Sequence, residues 1–272
     1  MSLPPSSRPA PALVVAADGE IRPTTRAVPE EVPVSLVYST VPFAVMMLTP
    51  SDLEDFAYGF SLTEGIITDA SGIREVQVEE DPRGLRLAIR LAPTALTAHL
   101  ARRRSIAGRT GCGLCGIEEL DQMPQGLRPE GAAPAIDVPA IRRALAALEE
   151  SQPLNDETRA VHAAAFARAD GSLHAVREDV GRHNALDKLA GALMRDGIRA
   201  AEGFVIVTSR CSFELVEKAA SIGARTLVAI SAPTALALER ARALDMNLVA
   251  VARRDTVAVF HGMDRVRERT PI

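Results

Sequence analysis

Hydrophobic positions change period several times along this chain, and each change marks an element. From Glu31 to Leu48 the runs V-P-V-S-L-V-Y and F-A-V-M-M-L, rich in β-branched and apolar residues, read as two strands. Thr49-Pro50-Ser51-Asp52 then offers an N-cap threonine, a proline at the first helical position and a carboxylate close behind. Leu53, Phe56, Ala57 and Phe60 recur at helical spacing, and Gly65 stops the run. Between Glu75 and Leu91 the period drops to two around Pro82-Arg83-Gly84, which predicts a hairpin. The segment before these elements, residues 1–25, is rich in Pro, Ser and Ala with little periodicity and predicts a disordered tail.

The second half alternates. Asp137 and Pro139 cap the helical run I-R-R-A-L-A-A-L-E-E, and V-H-A-A-A-F-A-R with S-L-H-A-V-R flank the hairpin signal Asp170-Gly171. Helical and strand patterns then follow in turn: G-R-H-N-A-L-D-K-L, F-V-I-V-T-S, F-E-L-V-E-K-A-A, R-T-L-V-A-I-S, T-A-L-A-L-E-R-A-R-A-L, N-L-V-A-V-A-R and V-A-V-F-H. Such alternation predicts an α/β domain over residues 137–272, with helices on the faces of a mainly parallel sheet. It follows a smaller α+β region over residues 26–136. Between about residues 102 and 134 periodicity fails; arginines, glycines, prolines and two cysteines make this a long loop of the functional kind.

Composition narrows the classes. At 47% hydrophobic residues over 272 positions the chain can bury a substantial core, and a net charge of −4 argues against coating nucleic acid or an anionic membrane surface. No run reaches the roughly 18 apolar residues of a membrane span, and the N-terminus lacks the apolar core of a signal peptide. These features predict a cytoplasmic protein with neither nucleic acid nor membrane as partner. In a reducing compartment, Cys112 and Cys115 in T-G-C-G-L-C-G read first as a metal or reactive site rather than a structural disulfide. Cys211 stands alone and reads as a small packing residue.

Three chemistries compete for the cysteine pair. Structural zinc needs four ligands, but no second pair exists, and His162, His174 and His183 lie far downstream without H-x3-H spacing. A thioredoxin-like pair belongs at a helix start, which Gly111, Gly113 and Gly116 disfavour. Flexible glycines suit thiols that must meet one partner and swing to another. Arg102, Arg103, Arg104 and Arg109 upstream would favour the nucleophilic thiolate. Spacing alone leaves all three open.

Longer motifs bear on the choice. C-G-L-C-G at 112–116, R-E-D-V-G-R-H-N-A-L-D-K at 177–188, S-R-C-S-F-E-L-V-E-K-A-A at 209–220, S-A-P-T-A-L-A at 231–237 and T-P-S-D-L-E-D-F-A-Y-G-F-S-L-T-E-G-I-I at 49–67 resemble the FdhD/NarQ family of formate dehydrogenase accessory sulfurtransferases. The resemblance implies a cytidine deaminase-like α/β fold without zinc ligands, a cysteine pair on a mobile loop and a homodimer. It implies a sulfur carrier that takes persulfide sulfur from a cysteine desulfurase. That sulfur goes to a molybdenum bis(guanine dinucleotide) cofactor bound as substrate, for formate dehydrogenase, with no metal held by the protein itself. Cys112 would carry the persulfide and Cys115 assist it. Two motifs depart from the family pattern: T-G-G-x-H is here Thr158-Arg159-Ala160-Val161-His162, and G-R-x-S is Ser209-Arg210-Cys211-Ser212.

The dinucleotide's phosphates and ring edges call for arginines, helix N-termini and small residues. Arg182, His183 and Asn184 follow Gly181 at a predicted helix start, and Arg210 follows the strand F-V-I-V-T-S at the end where ligands collect in α/β sheets. Ser231 and Thr234 occupy the matching end of the next strand. Val251, Ala252, Arg253, Arg254, Asp255 and Thr256 follow the one after, a position that in the family contributes to the nucleotide-cofactor site. His162 is a further family site residue, although its place on a strand also suits a core histidine, as for His174. Asp187 and Lys188 read as a solvated pair. Two rivals remain: a non-enzymatic chaperone for the molybdenum cofactor, and a zinc-dependent deaminase-like hydrolase.

Overall fold

The computed structural model describes residues 3–104 and 133–268; the cysteine loop, with Cys112 and Cys115, lies outside the described residues. The chain opens with β1 (Ser7–Val15) and β2 (Ile21–Pro29), an antiparallel ribbon. The tail expected over residues 1–25 is thus replaced by paired strands. Its turn is Asp18-Gly19, with Gly19 at φ 88° and Ala16 N–H donating to Glu20 O at 2.8 Å. Prolines are tolerated because both strands are edges, so a missing N–H can face outward.

The first packed unit comprises β3 (Val32–Tyr38), β4 (Val41–Leu48), α1 (Leu53–Thr63), β5 (Ile73–Asp81), β6 (Gly84–Leu91) and α2 (Pro93–Arg104). Its sheet runs β4-β3-β6-β5, with β3 parallel to β6 and both outer pairings antiparallel. Val34, Leu36, Leu87 and Ile89 pack there with Phe56 and Phe60 of α1. Gly65, at φ 66°, follows α1 as expected, but the N-cap is Asp52 rather than Thr49. Thr49 is unavailable because its N–H, hydroxyl and carbonyl all bond to the second unit.

That unit contains β7 (Ile136–Asp137), α3 (Val138–Glu149), α4 (Pro153–Thr158), β8 (His162–Arg168), β9 (Leu173–Asp179), α5 (Arg182–Arg195), β10 (Gly203–Val207) and α6 (Phe213–Ser221). It continues through β11 (Thr226–Ala229), α7 (Ala235–Ala243), β12 (Asn247–Ala250), β13 (Ala258–His261) and β14 (Val266–Arg267). The six-stranded sheet has the order β13-β12-β11-β10-β8-β9. It is mixed, not mainly parallel: only β10–β11 and β11–β12 pair in parallel. The connections explain this. β8 and β9 are joined by a tight turn and β12 and β13 by a short loop without a helix, neither long enough for a parallel crossover. Alternate residues face opposite ways. Val205, Val207 and Leu227 meet Leu186, Leu189 and Val216 of α5 and α6, whereas Phe204, Ile206 and Val228 meet Ile141, Leu145 and Leu148 of α3.

The units join where α1 crosses α5. A Cβ on Gly59 would stand 1.7 Å from Asp187 O, and one on Gly191 would stand 1.8 Å from Asp55 O, so only glycine lets these backbones approach so closely.

Candidate functional site

Because β10, β11 and β12 are parallel neighbours, their carboxyl ends lie side by side. β8 runs opposite to β10, so its first residue, His162, reaches the same edge, where β9 ends and leads into α5. The topology therefore gathers Arg182, His183, Arg210, Ser231, Thr234 and the 251–256 loop along one edge of the sheet.

At the start of α5, Gly181 is an N-cap with no side chain to bond the first N–H groups. Asp179 holds the turn: its Oδ1 accepts Gly181 N–H at 2.8 Å and Asn184 Nδ2 at 3.0 Å. Asn184 also donates to Met47 O at 2.9 Å, and this buried amide faces the seam with the first unit. The Arg182 guanidinium makes no hydrogen bond or ion pair among the described residues, although its charge helps to lower the pKa of Glu214. His183 is half-buried, and its Nε2 is buried without a partner. Burial lowers its pKa to about 4, helped by the charges of Arg182 and Lys218 and opposed by Glu214. Burial, then Arg182, also lowers His162, against the pull of Asp179. Both imidazoles are neutral near pH 7.

The exit of β10 is stitched to β8 by Thr208, whose Oγ1 accepts Ala163 N–H at 2.9 Å. Ser209 is buried and donates to Arg210 O at 3.1 Å. Arg210 itself is exposed and uncommitted among the described residues. Cys211 is fully buried in the core, and burial pushes its thiol up to about 12, which makes it a packing group rather than a nucleophile.

At the exit of β11, Ser231 O accepts Val251 N–H at 3.2 Å, while Thr234 caps α7 by accepting Ala237 N–H at 3.2 Å. Beyond β12, Ala252 is buried and donates to Ala229 O at 3.1 Å. Arg253 lies back on Ile230 O and Ala252 O, and Arg254 pairs with Glu149 of α3. Thr256 O accepts Arg253 N–H at 2.7 Å, and Asp255 O accepts Arg142 Nη2 at 3.4 Å. Arg182 and Arg210 are thus the uncommitted guanidiniums among these candidates. Arg182 at the open N-terminus of α5 and Arg210 at the exit of β10 both suit phosphate oxygens.

Sequence reasoning missed the buried ions beneath this edge. Asp187 and Lys188 are not a solvated pair. Adjacent helical residues point about 100° apart, so Lys188 pairs with Asp179 at 2.8 Å and Asp187 with Lys218 at 2.8 Å, both inside the protein. Thr63 Oγ1 donates to Asp187 at 2.6 Å and Thr49 N–H to Asp179 at 3.0 Å, so each pair also grips the first unit. No i, i+4 spacing announces either pair, because Lys188 finds Asp179 in the turn before α5 and Asp187 finds Lys218 on α6. A cavity of about 720 Å3 opens away from this edge, lined mainly by apolar residues such as Leu62, Leu193, Met194 and Ile222.

Residues 29–267 match the FdhD/NarQ family. A protein of Cupriavidus necator named sulfur carrier protein FdhD is 45% identical over 254 residues, 93% of this chain and 88% of that protein. Its namesake in Agrobacterium fabrum is 49% identical over 245 residues, 89% of each chain. Among solved structures, a crystal structure of a candidate formate dehydrogenase accessory protein from Desulfotalea psychrophila superposes with a TM-score of 0.77 at 25% identity. It covers 97% of this chain and 100% of that one.

Proposed function

The chain belongs to the FdhD/NarQ family, and from that premise we propose that it is a sulfur carrier serving a formate dehydrogenase. It accepts persulfide sulfur from a cysteine desulfurase and transfers it to a molybdenum bis(guanine dinucleotide) cofactor that it binds as substrate. The names of the relatives support the carrier role. The observation that carries the substrate reading is the placement of two uncommitted guanidiniums, Arg182 at the uncapped start of α5 and Arg210 at the exit of β10, at the same end of the sheet. The cytidine deaminase-like layering, the homodimer and a cytoplasmic location belong to the same reading. Among the described residues no helix is long and apolar enough to cross a membrane.

In the loading step the Cys112 thiolate attacks the terminal sulfur of the donor's persulfide. One S–S bond forms as the donor's breaks, and the donor cysteine leaves as thiolate. Cys115, three residues on in the same glycine-rich sequence, serves as a relay. Neutral His162 and His183 add hydrogen-bonding groups beside the phosphate-binding arginines without adding charge.

The test is intact mass after incubation with a cysteine desulfurase and cysteine. The wild-type chain gains roughly 32 Da, and Cys112→Ala does not. Tight cofactor binding without sulfur uptake would make the protein a cofactor chaperone, and stoichiometric zinc without uptake would favour the hydrolase.

A further inference from the structure

Val251 leaves β12 with φ 49°, in the left-handed region that β-branched residues avoid. Its side chain gains little there, being 41% exposed. The bend is held by the backbone instead: Val251 N–H reaches Ser231 O at 3.2 Å and Ala252 N–H reaches Ala229 O at 3.1 Å. Arg253 closes it. Both hydrogens of its Nη1 are used, one on Ile230 O beyond β11 and one on Ala252 O beyond β12, the latter at 3.0 Å. One nitrogen thus joins the exits of two neighbouring strands, while its own N–H bonds to Thr256 O and shortens the loop. The neighbouring Arg254 is tied to α3. Arg182 and Arg210, by contrast, touch no partner among the described residues.

We infer that Arg253 is a positioning residue whose guanidinium clamps the exits of β11 and β12 and holds the 251–256 loop in its strained shape, leaving phosphate recognition to Arg182 and Arg210. The functional consequence rests on the nucleotide reading of this edge; the clamp itself does not.

Guanosine diphosphate is the probe, with Arg253→Lys and Arg253→Met compared on the full-length chain. Lysine keeps the charge, but its chain is one bond shorter, so its ammonium stops short of the point between the two carbonyls that Nη1 occupies. A clamp therefore predicts that both variants lose affinity equally, about tenfold, with the salt dependence of binding unchanged. Arg182→Met, which removes a ligand-facing charge, flattens that salt dependence. Amide exchange at Val251 and Ala252 accelerates in both Arg253 variants, with or without nucleotide. A direct phosphate contact predicts otherwise: Arg253→Lys would bind within about twofold of wild type, and Arg253→Met would itself flatten the salt dependence. Either result overturns the inference. If the wild-type chain binds no guanosine diphosphate, the nucleotide reading fails, and the clamp is decided by exchange: faster at both amides sustains it, unchanged refutes it.

Discussion

Removing the ammonium of Lys188 tests how the candidate site is held in place. Lys188 and Asp179 are both fully buried, with Nζ 2.8 Å from Oδ2. The carboxylate also accepts N–H groups from Thr49 at 3.0 Å and Gly181 at 2.8 Å, and Asn184 Nδ2 at 3.0 Å, while Lys188 donates to Thr49 O at 3.0 Å. One ion pair therefore joins the entry to α1, the turn before α5 and α5 itself. Lys188→Met keeps most of the apolar stem but strands the carboxylate, and breaking a buried pair from one side costs about 3–5 kcal/mol. The three N–H donors left on Asp179 soften that charge, so the lower end, about 3 kcal/mol, is expected. Asp179→Asn strands the ammonium at similar cost. In the double variant no charge is stranded, and the asparagine oxygen still accepts N–H groups, so at least about 2 kcal/mol of the summed loss should return. Urea unfolding of the full-length chain, followed by far-ultraviolet circular dichroism, measures the cycle. A Lys188→Met loss below about 1 kcal/mol, or strict additivity in the double variant, would refute the argument that this pair is dry and coupled.

Other expectations follow from individual geometries. Gly59→Ala places a Cβ 1.7 Å from Asp187 O and 2.6 Å from Gly191 N, both backbone atoms, so α1 and α5 must part. A loss of about 2–3 kcal/mol should outweigh alanine's helix preference, and an unchanged Tm would contradict it. Arg159 ends α4 at φ 55°, in the left-handed region that favours glycine, and its ion pair among the described residues is with exposed Asp156. Arg159→Gly should raise stability by about 1 kcal/mol, and a lower urea midpoint would count against left-handed strain. The folded pKa of His183, about 4, lies below its ordinary 6.5. Between those values the unfolded chain holds a proton the folded chain lacks, so this contribution is full above pH 6.5 and is lost as pH falls toward 4. His183→Gln should flatten the rise of unfolding free energy with pH across that window, and an unaltered slope would move its cause elsewhere. Buried Cys211, its thiol pushed up to about 12, should escape iodoacetamide in the native chain and become labelled in urea; native labelling, mapped by peptide mass, would show that its pocket opens.

Element identity was legible where local periodicity is strong. The strands at 32–38 and 41–48, the hairpin of β5 and β6, the helix after Asp137 and the strand and helix succession from β8 to β13 stand where the pattern of apolar residues puts them. The ribbon at 7–29 was not legible, because its prolines imitate a disordered composition while its turn signal is the single pair Asp18-Gly19. The N-cap of α1 was misread for a different reason: Thr49 has capping chemistry, but long-range partners claimed every polar group it owns.

For the site, sequence alone determined which residues stand at strand exits and helix starts, since those positions follow from period and turn chemistry nearby in the chain. It also carried the motif that binds the chain to its family. What it could not determine is how each polar group is spent. Arg182, Arg210, Arg253 and Arg254 look equivalent in sequence, yet the last two are tied to carbonyls and a carboxylate. Asp187 and Lys188 are neighbours, yet each is buried against a different partner. Strand direction in the sheet was likewise decided by connection lengths and by which strands become neighbours. Periodicity reports which face of an element is apolar, whereas hydrogen bonds, ion pairs and sheet order depend on residues far apart in the chain that only packing brings together.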